Sequence, residues 1–269
     1  MRNVQLALVV VLAVVLAPAL GYAQSRTARP AGKPKAPAKP PVSIVLVHGA
    51  WTDGSAWDKV VPQLEQKGYS VVVVHLPLTS ATDDIAATTR AIDRQAGDVV
   101  LVGHSYGGMV ITRAGNDPKV KRLVYVDAYA LDEGETANAL FKVPPPWVKT
   151  LLTDSGGYVL LPFETIATMF AQDLTIFEQR MIAAKQGPVP AANFNEPMVD
   201  PAWRKKPSWY VRGTQDKFIS AEVQAQMAKR AKAITVSLEA GHLSMLSKPR
   251  EVAAVIIDAA SSSETAARK

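Results

Sequence analysis

"LVGHSYGGMV" spans residues 101–110. A strand-like apolar run stops at Gly103 and His104, presents Ser105, and passes through Gly107 and Gly108 into a second apolar run. Gly103, Ser105 and Gly107 form the pattern Gly-x-Ser-x-Gly. In a sharp strand-to-helix turn, side chains at the two glycine positions would strike the neighbouring strand and helix. With glycines there, the serine is held in a strained conformation and its hydroxyl projects above the sheet. The helix that follows aims its free N–H groups at the same spot, which favours developing negative charge. The pentapeptide is a modest signal by itself. The strand before it and the helix after it make Ser105 a candidate nucleophile rather than a plain turn residue.

Similar alternation runs along the chain on both sides. Apolar, β-rich stretches occur at 42–48, 70–77, 98–104, 120–129, 207–213 and 233–239, the first of them β-branched and unalternating. Helical spacing connects them. Trp57, Val60, Val61 and Leu64 share a face before Gly68, and Ile85, Ala86, Thr89 and Ile92 share one before Gly97. Further helices are expected over 106–115, 221–231 and 251–260. Continuous apolar strands alternating with amphipathic helices predict an α/β fold: a mostly parallel sheet of about six strands flanked by helices. Residues 131–206 break the alternation and are rich in aromatic residues, methionine and proline, Trp147, Phe170 and Phe194 among them. This insertion reads as a helical layer or a lid over a pocket. There is no internal repeat, and no glycine-rich phosphate loop.

The two ends of the chain have a different character. Arg2 precedes an apolar stretch, Val4 to Ala17, followed by small residues at Gly21 and Ala23. This is the form of a secretory signal peptide over 1–23, cleaved after Ala23. The stretch is shorter than the ~20 apolar residues of a membrane span, so no stable span is expected after cleavage; an uncleaved N-terminal anchor is the alternative. Residues 24–41 are built from Ala, Pro, Lys, Arg and Gly, with no large apolar side chain, and read as a disordered linker. The C-terminal residues 261–269 read as a frayed end. The chain carries 30 Lys and Arg against 24 Asp and Glu, a net charge of +6. Arg2, Arg26, Arg29, Lys33, Lys35 and Lys39 precede the first acid and account for that whole excess. The basic character therefore belongs to the tail, which argues against a nucleic-acid groove and leaves a weak attraction to anionic envelope surfaces. With no cysteine there are no disulfides, thiolate metal sites or lipoprotein anchor. A core drawn from 48% hydrophobic residues needs no such staples.

A serine hydroxyl needs a base. The chain has four histidines: His48, His75, His104 and His242. His48 and His75 end strands, where a histidine is usually a hydrogen-bonded structural residue. His104 adjoins the candidate nucleophile and is expected to point away from it. His242 lies in the loop between the last strand and the last helix, at the sheet edge where functional residues of open α/β folds gather. It is the candidate base. Two aspartates close strands and could orient it. Asp216 gives the chain order Ser, Asp, His and is favoured. Asp127 is the alternative, with a structural role capping the insertion as its plainer reading. The N–H groups of Ala50, reached through the sharp turn at Gly49, and of Tyr106 are the expected oxyanion donors.

These residues resemble the α/β-hydrolase superfamily, and within it the small esterase branch of plant methyl esterases, hydroxynitrile lyases and their bacterial homologues. The resemblance rests on "VLVHGAW", "GHSYGGMV", "YVRGTQDKFI" and "AGHLSMLSKPREVAAVI" and extends over about 43–260. It implies an α/β-hydrolase fold over 42–269, Ser105, Asp216 and His242 as a triad, and 131–206 as a cap. Hydroxynitrile lyases carry lysine directly after the catalytic histidine; this chain has Leu243 there, which favours ester hydrolysis. Relatives that dehalogenate or open epoxides use an aspartate nucleophile, and here Ser105 stands in its place. The expectation is an exported serine hydrolase, periplasmic or secreted, acting on a small carboxylic ester with an apolar portion and needing no cofactor or metal. Its activity should rise through the ordinary histidine range near ~6.5. The alternative is a homologue that binds small molecules and turns over slowly or not at all.

Overall fold

The computed structural model describes residues 42–262. The signal peptide expected over 1–23 and the linker expected over 24–41 lie outside the described residues, as do 263–269. In chain order the strands are β1 (Ser43–Val47), β2 (Ser70–Val74), β3 (Val99–His104) and β4 (Val120–Val126), then β5 (Leu152–Thr153), β6 (Tyr158–Leu160) and β7 (Val189–Pro190), then β8 (Ser208–Gly213) and β9 (Ile234–Leu238). Six of them form one sheet in the order β2-β1-β3-β4-β8-β9, and every pairing is parallel. β1 and β3 are buried along their whole length. This is why their sequences run as unbroken Val, Ile and Leu instead of alternating. The edge strands β2 and β9 are partly exposed, and Ile234 faces solvent.

The helices are α1 (Val61–Glu65), α2 (Ala81–Asp93), α3 (Gly107–Ala114), α4 (Phe163–Thr165), α5 (Ile176–Lys185), α6 (Ala221–Arg230), α7 (Ser244–Ser247) and α8 (Pro249–Ser261). Ser80 starts α2 by accepting the Asp83 N–H at 3.0 Å, and Asp83 and Asp84 occupy the first turn, where the helix dipole favours acids. The helix expected around Trp57 to Leu64 forms as two pieces, a 3-10 turn over Gly54–Trp57 and the short α1. Pro62 is the reason. It has no N–H to bond back one turn, so it serves only in the first turn of a new helix.

The segment between β4 and β8 is less helical than its sequence suggests. It holds α4 continued by a π-helical turn over Ile166–Phe170, then α5, together with a small antiparallel sheet in the order β5-β6-β7. Strands of two or three residues are too short to show a period. The turn at Gly156 and Gly157, the latter with φ of +78°, was the one sequence signal for this hairpin.

Register places the functional loops. Val47 pairs with Gly103, Gly103 with Tyr125, Tyr125 with Tyr210, and Tyr210 with Thr235. Parallel strands in this register end together, so the loops after β1, β3, β8 and β9 leave from one rim. Leu101 lies fully buried at the centre of β3. We expect Leu101→Ala to lower unfolding free energy by about 2–5 kcal/mol. Thr175→Ala, which removes the capping box of α5, should cost about 1 kcal/mol. Urea denaturation of both variants checks the contrast.

Candidate active site

Ser105 has φ of +49° and sits between β3 and α3. Its N–H donates to the Val126 carbonyl at 3.3 Å, and its own carbonyl accepts the N–H groups of Gly108 at 2.9 Å and Tyr129 at 3.1 Å. The flanking glycines are required by space. A Cβ on Gly103 would lie 2.6 Å from the Gly107 carbonyl oxygen, and one on Gly107 would lie 2.6 Å from that of His48.

Three side chains from three loops meet at this turn. The His242 Nε2 is 2.8 Å from the Ser105 Oγ, and the His242 Nδ1 is 2.7 Å from the Asp216 Oδ2. A carboxylate at Nδ1 places the proton there and leaves Nε2 bare to accept from the serine. Asp216 is held in turn. Its Oδ1 accepts the N–H groups of Phe218 at 2.7 Å and Ile219 at 2.9 Å, and its Oδ2 accepts the Gln224 side-chain amide at 2.7 Å. Burial pushes the Asp216 carboxyl above its ordinary range, while these donors favour its charged form. Burial also pushes the His242 imidazole down, to about 3. The ring is therefore neutral, a proton acceptor, to lower pH than a free histidine.

The loop after β1 closes the other side of Ser105. Gly49 passes so close that a Cβ there would lie 2.9 Å from the Ser105 Cβ. Ala50 and Tyr106 are both buried, and neither backbone N–H donates to an acceptor among the described residues. Trp51, at φ of +57°, turns its indole away toward the insertion and donates Nε1–H to the Val159 carbonyl of β6 at 2.9 Å.

The His48 Nε2 accepts the Leu76 N–H at 3.1 Å, so its Nδ1–H faces the Gly49 carbonyl at 2.9 Å; it is a structural residue of the loop. His75 is exposed. His104 makes no bond to the Ser105 hydroxyl, but it does not turn its back on the site: its Nε2–H donates to the His242 carbonyl at 2.9 Å. Asp127 makes no bond to His242; its carboxylate binds Gly213 and Ser244 instead. None of those bonds reaches the insertion, which corrects the capping role expected for it.

The site is roofed by aromatic rings. Trp51 stacks on Phe194 with centroids 5.5 Å apart, and Trp147 stacks on Phe218 at 4.0 Å. Phe170 and Phe218 lie against the His242 ring at 5.2 and 4.9 Å. Ser105 is only 2% exposed. Not every aromatic residue of the insertion contributes. Phe177 is 71% exposed on α5, and Trp203 packs away from the site with its Nε1–H on the Leu131 carbonyl. Hydrogen bonds tie the insertion to the loops bearing His242 and Asp216. The Asp173 carboxylate accepts the Gly241 N–H at 2.8 Å, and the Gln172 amide donates to the Gln215 carbonyl at 2.8 Å.

Gln224 was not singled out in the sequence. Its signal is a glutamine sharing the buried face of α6 with Met227 and Ala228, where a polar side chain needs a partner. Asp84 was missed as well. It is buried on α2 and accepts the Tyr106 phenol at 2.7 Å, which steadies the residue after Ser105.

The chain is similar to known proteins in sequence and in fold. Residues 44–255 match the model of a family described as the alpha/beta hydrolase family. A pyrethroid hydrolase from Sphingobium wenxiniae is 31% identical over 247 residues, covering 80% of this chain and 86% of that one. A carbendazim hydrolyzing esterase from Nocardioides is 36% identical over 133 residues, covering 43% of this chain and 53% of the relative. The crystal structure of a pyrethroid hydrolase from Sphingobium faniae superposes with a TM-score of 0.68 at 27% identity, covering 81% of this chain and 97% of the other. A nucleophile-type turn, a parallel sheet with this strand order and a family match over most of its length agree: the chain belongs to the alpha/beta hydrolase family.

Proposed function

We propose that the protein is an exported serine hydrolase that cleaves carboxylic esters through an acyl-enzyme. The observation that carries this reading is the unbroken relay from Asp216 through His242 to Ser105, at 2.7 and 2.8 Å. The His242 Nε2 takes the hydroxyl proton of Ser105 as the oxygen attacks the ester carbonyl. The tetrahedral oxyanion is received by the N–H groups of Ala50 and Tyr106. Asp216 keeps the proton of the neutral ring on Nδ1 and stabilises the imidazolium that forms. His242 then gives its Nε2 proton to the leaving alkoxide, the C–O bond breaks, and an acyl group remains on Ser105. Water, deprotonated by His242, attacks that acyl group; the carboxylic acid leaves and the hydroxyl of Ser105 is restored.

The aromatic roof supports a substrate with an apolar portion, since such a pocket gains from apolar and ring contact. The names of two relatives, a pyrethroid hydrolase and a carbendazim hydrolyzing esterase, support hydrolysis of an ester. Export rests on the N-terminal sequence, with residues 1–23 as a signal peptide and 24–41 as a linker. No helix among the described residues is long and apolar enough to cross a membrane.

A panel of p-nitrophenyl and aryl esters of graded acyl length, run on the wild type and on Ser105→Ala, tests the reading. The variant should lose about 10⁴- to 10⁶-fold in turnover, and a variant with wild-type turnover would overturn the reading. The pH profile is a second test. Burial of His242 lowers its pKa, so the base stays deprotonated further into acid. The acid limb of kcat/KM should therefore have its midpoint below the ordinary ~6.5, not at it as the sequence led us to expect. A midpoint above that value would contradict the assignment. Deleting residues 24–41 should leave turnover unchanged, whereas a loss of activity would give the basic segment a functional role.

A further inference from the structure

Asp127 directly follows β4 at the rim that carries the site, yet the proton relay does not use it. Its side chain is completely buried. The Oδ1 accepts the Gly213 N–H at 2.7 Å, and the Oδ2 accepts both the Ser244 N–H at 3.2 Å and the Ser244 hydroxyl at 2.5 Å. Gly213 closes β8 and stands three residues before Asp216. Ser244 stands two residues after His242 and opens α7. One carboxylate thus grips the loop of the acid with one oxygen and the loop of the base with the other. Asp127 is itself anchored. Its backbone has φ of +47°, its N–H donates to the Val211 carbonyl at 3.0 Å, and the next carbonyl, Ala128, accepts the Tyr210 phenol.

We infer that Asp127 is a positioning residue that sets the separation of Asp216 and His242 by binding both of their loops. The inference rests on the hydrolase reading of those two residues. A buried carboxylate is costly unless hydrogen-bonded. Here the donors that offset the cost sit on two different loops. Full compensation is available only when both loops hold their places, so either loop drifting outward strips the carboxylate of partners. The loops also touch directly: a Cβ on Gly213 would lie 2.7 Å from the Gly241 carbonyl oxygen and 3.0 Å from the Asp127 Oδ1. His104 adds a hold on the His242 carbonyl from the third side. Misplacing reacting groups by ~1 Å costs on the order of 10²-fold in rate, so a device that fixes the acid–base distance acts on kcat.

The test is Asp127→Asn, with Ser244→Ala as a second variant that leaves the carboxylate in place and removes one of its bonds. An asparagine turns an NH₂ toward one of the two loops, where an N–H already points. Asp127→Asn should lower kcat about 10- to 100-fold with KM within about twofold of wild type. Ser244→Ala should lower it less, because the backbone N–H remains. The low-field proton resonance of the His242 Nδ1–H should shift or broaden in both, and should persist in Ser105→Ala. Wild-type kcat and an unmoved resonance in a folded Asp127→Asn would overturn the inference, as would a lowered melting temperature with kcat unchanged. If Asp127→Asn does not fold, Ser244→Ala decides on the same two readouts. A Ser105→Ala enzyme that retained turnover would instead sink the hydrolase reading, and the resonance would still report on the clamp.

Discussion

At Ser105 the backbone is held in the left-handed region at φ of +49°. Such a conformation costs a non-glycine residue about 1–3 kcal/mol. Three backbone hydrogen bonds, to Val126 and from Gly108 and Tyr129, keep it there. The helix after the turn packs so closely that its first glycine lies against the carbonyl of His48. The result is an elbow whose hydroxyl has one direction to point. Every other part of the site is arranged around that fixed atom: the loop after β1 on one side, the His242 ring on another, the roof above.

The second constraint is dryness. Ser105, His242 and Asp216 are all buried, under rings contributed by both the sheet loops and the insertion. Hydrogen bonds and charges act more strongly in such surroundings, and unpaired ones are penalised more heavily. This accounts for the attention given to the Asp216 carboxylate, which two backbone N–H groups, an amide and the imidazole surround. Trp51 has a part in both regions. It follows Ala50 in the loop over Ser105 and is bonded by its indole to a strand of the insertion. The roof and the loop over Ser105 are therefore joined by a hydrogen bond.

The local pattern carried most of the architecture. All six strands of the main sheet fall where apolar, β-rich runs predicted them, and the central β1 and β3 are the most continuously apolar because both of their faces are buried. The helix around Trp57 breaks where Pro62 removes a donor, a rule readable from sequence but outweighed there by apolar spacing. The small sheet of the insertion left almost no trace, since its strands are shorter than one period of alternation. Gln224 is an ordinary helical residue until its neighbours in space are known.

Taken alone, the amino-acid sequence determined the kind of fold, the strained turn at Ser105 and the small set of groups with the chemistry to assist it, because these follow from hydrophobic period, glycine placement and residue type within short windows. It favoured Asp216 by the chain order Ser, Asp, His and kept Asp127 as the alternative, since both are carboxylates closing parallel strands. Tertiary structure separated them. The loop after β8 swings Asp216 to 2.7 Å from the imidazole, while the loop bearing His242 presents Ser244 to Asp127. That choice depends on how loops far apart in the chain pack on one rim, a matter of three-dimensional fit that no local pattern encodes.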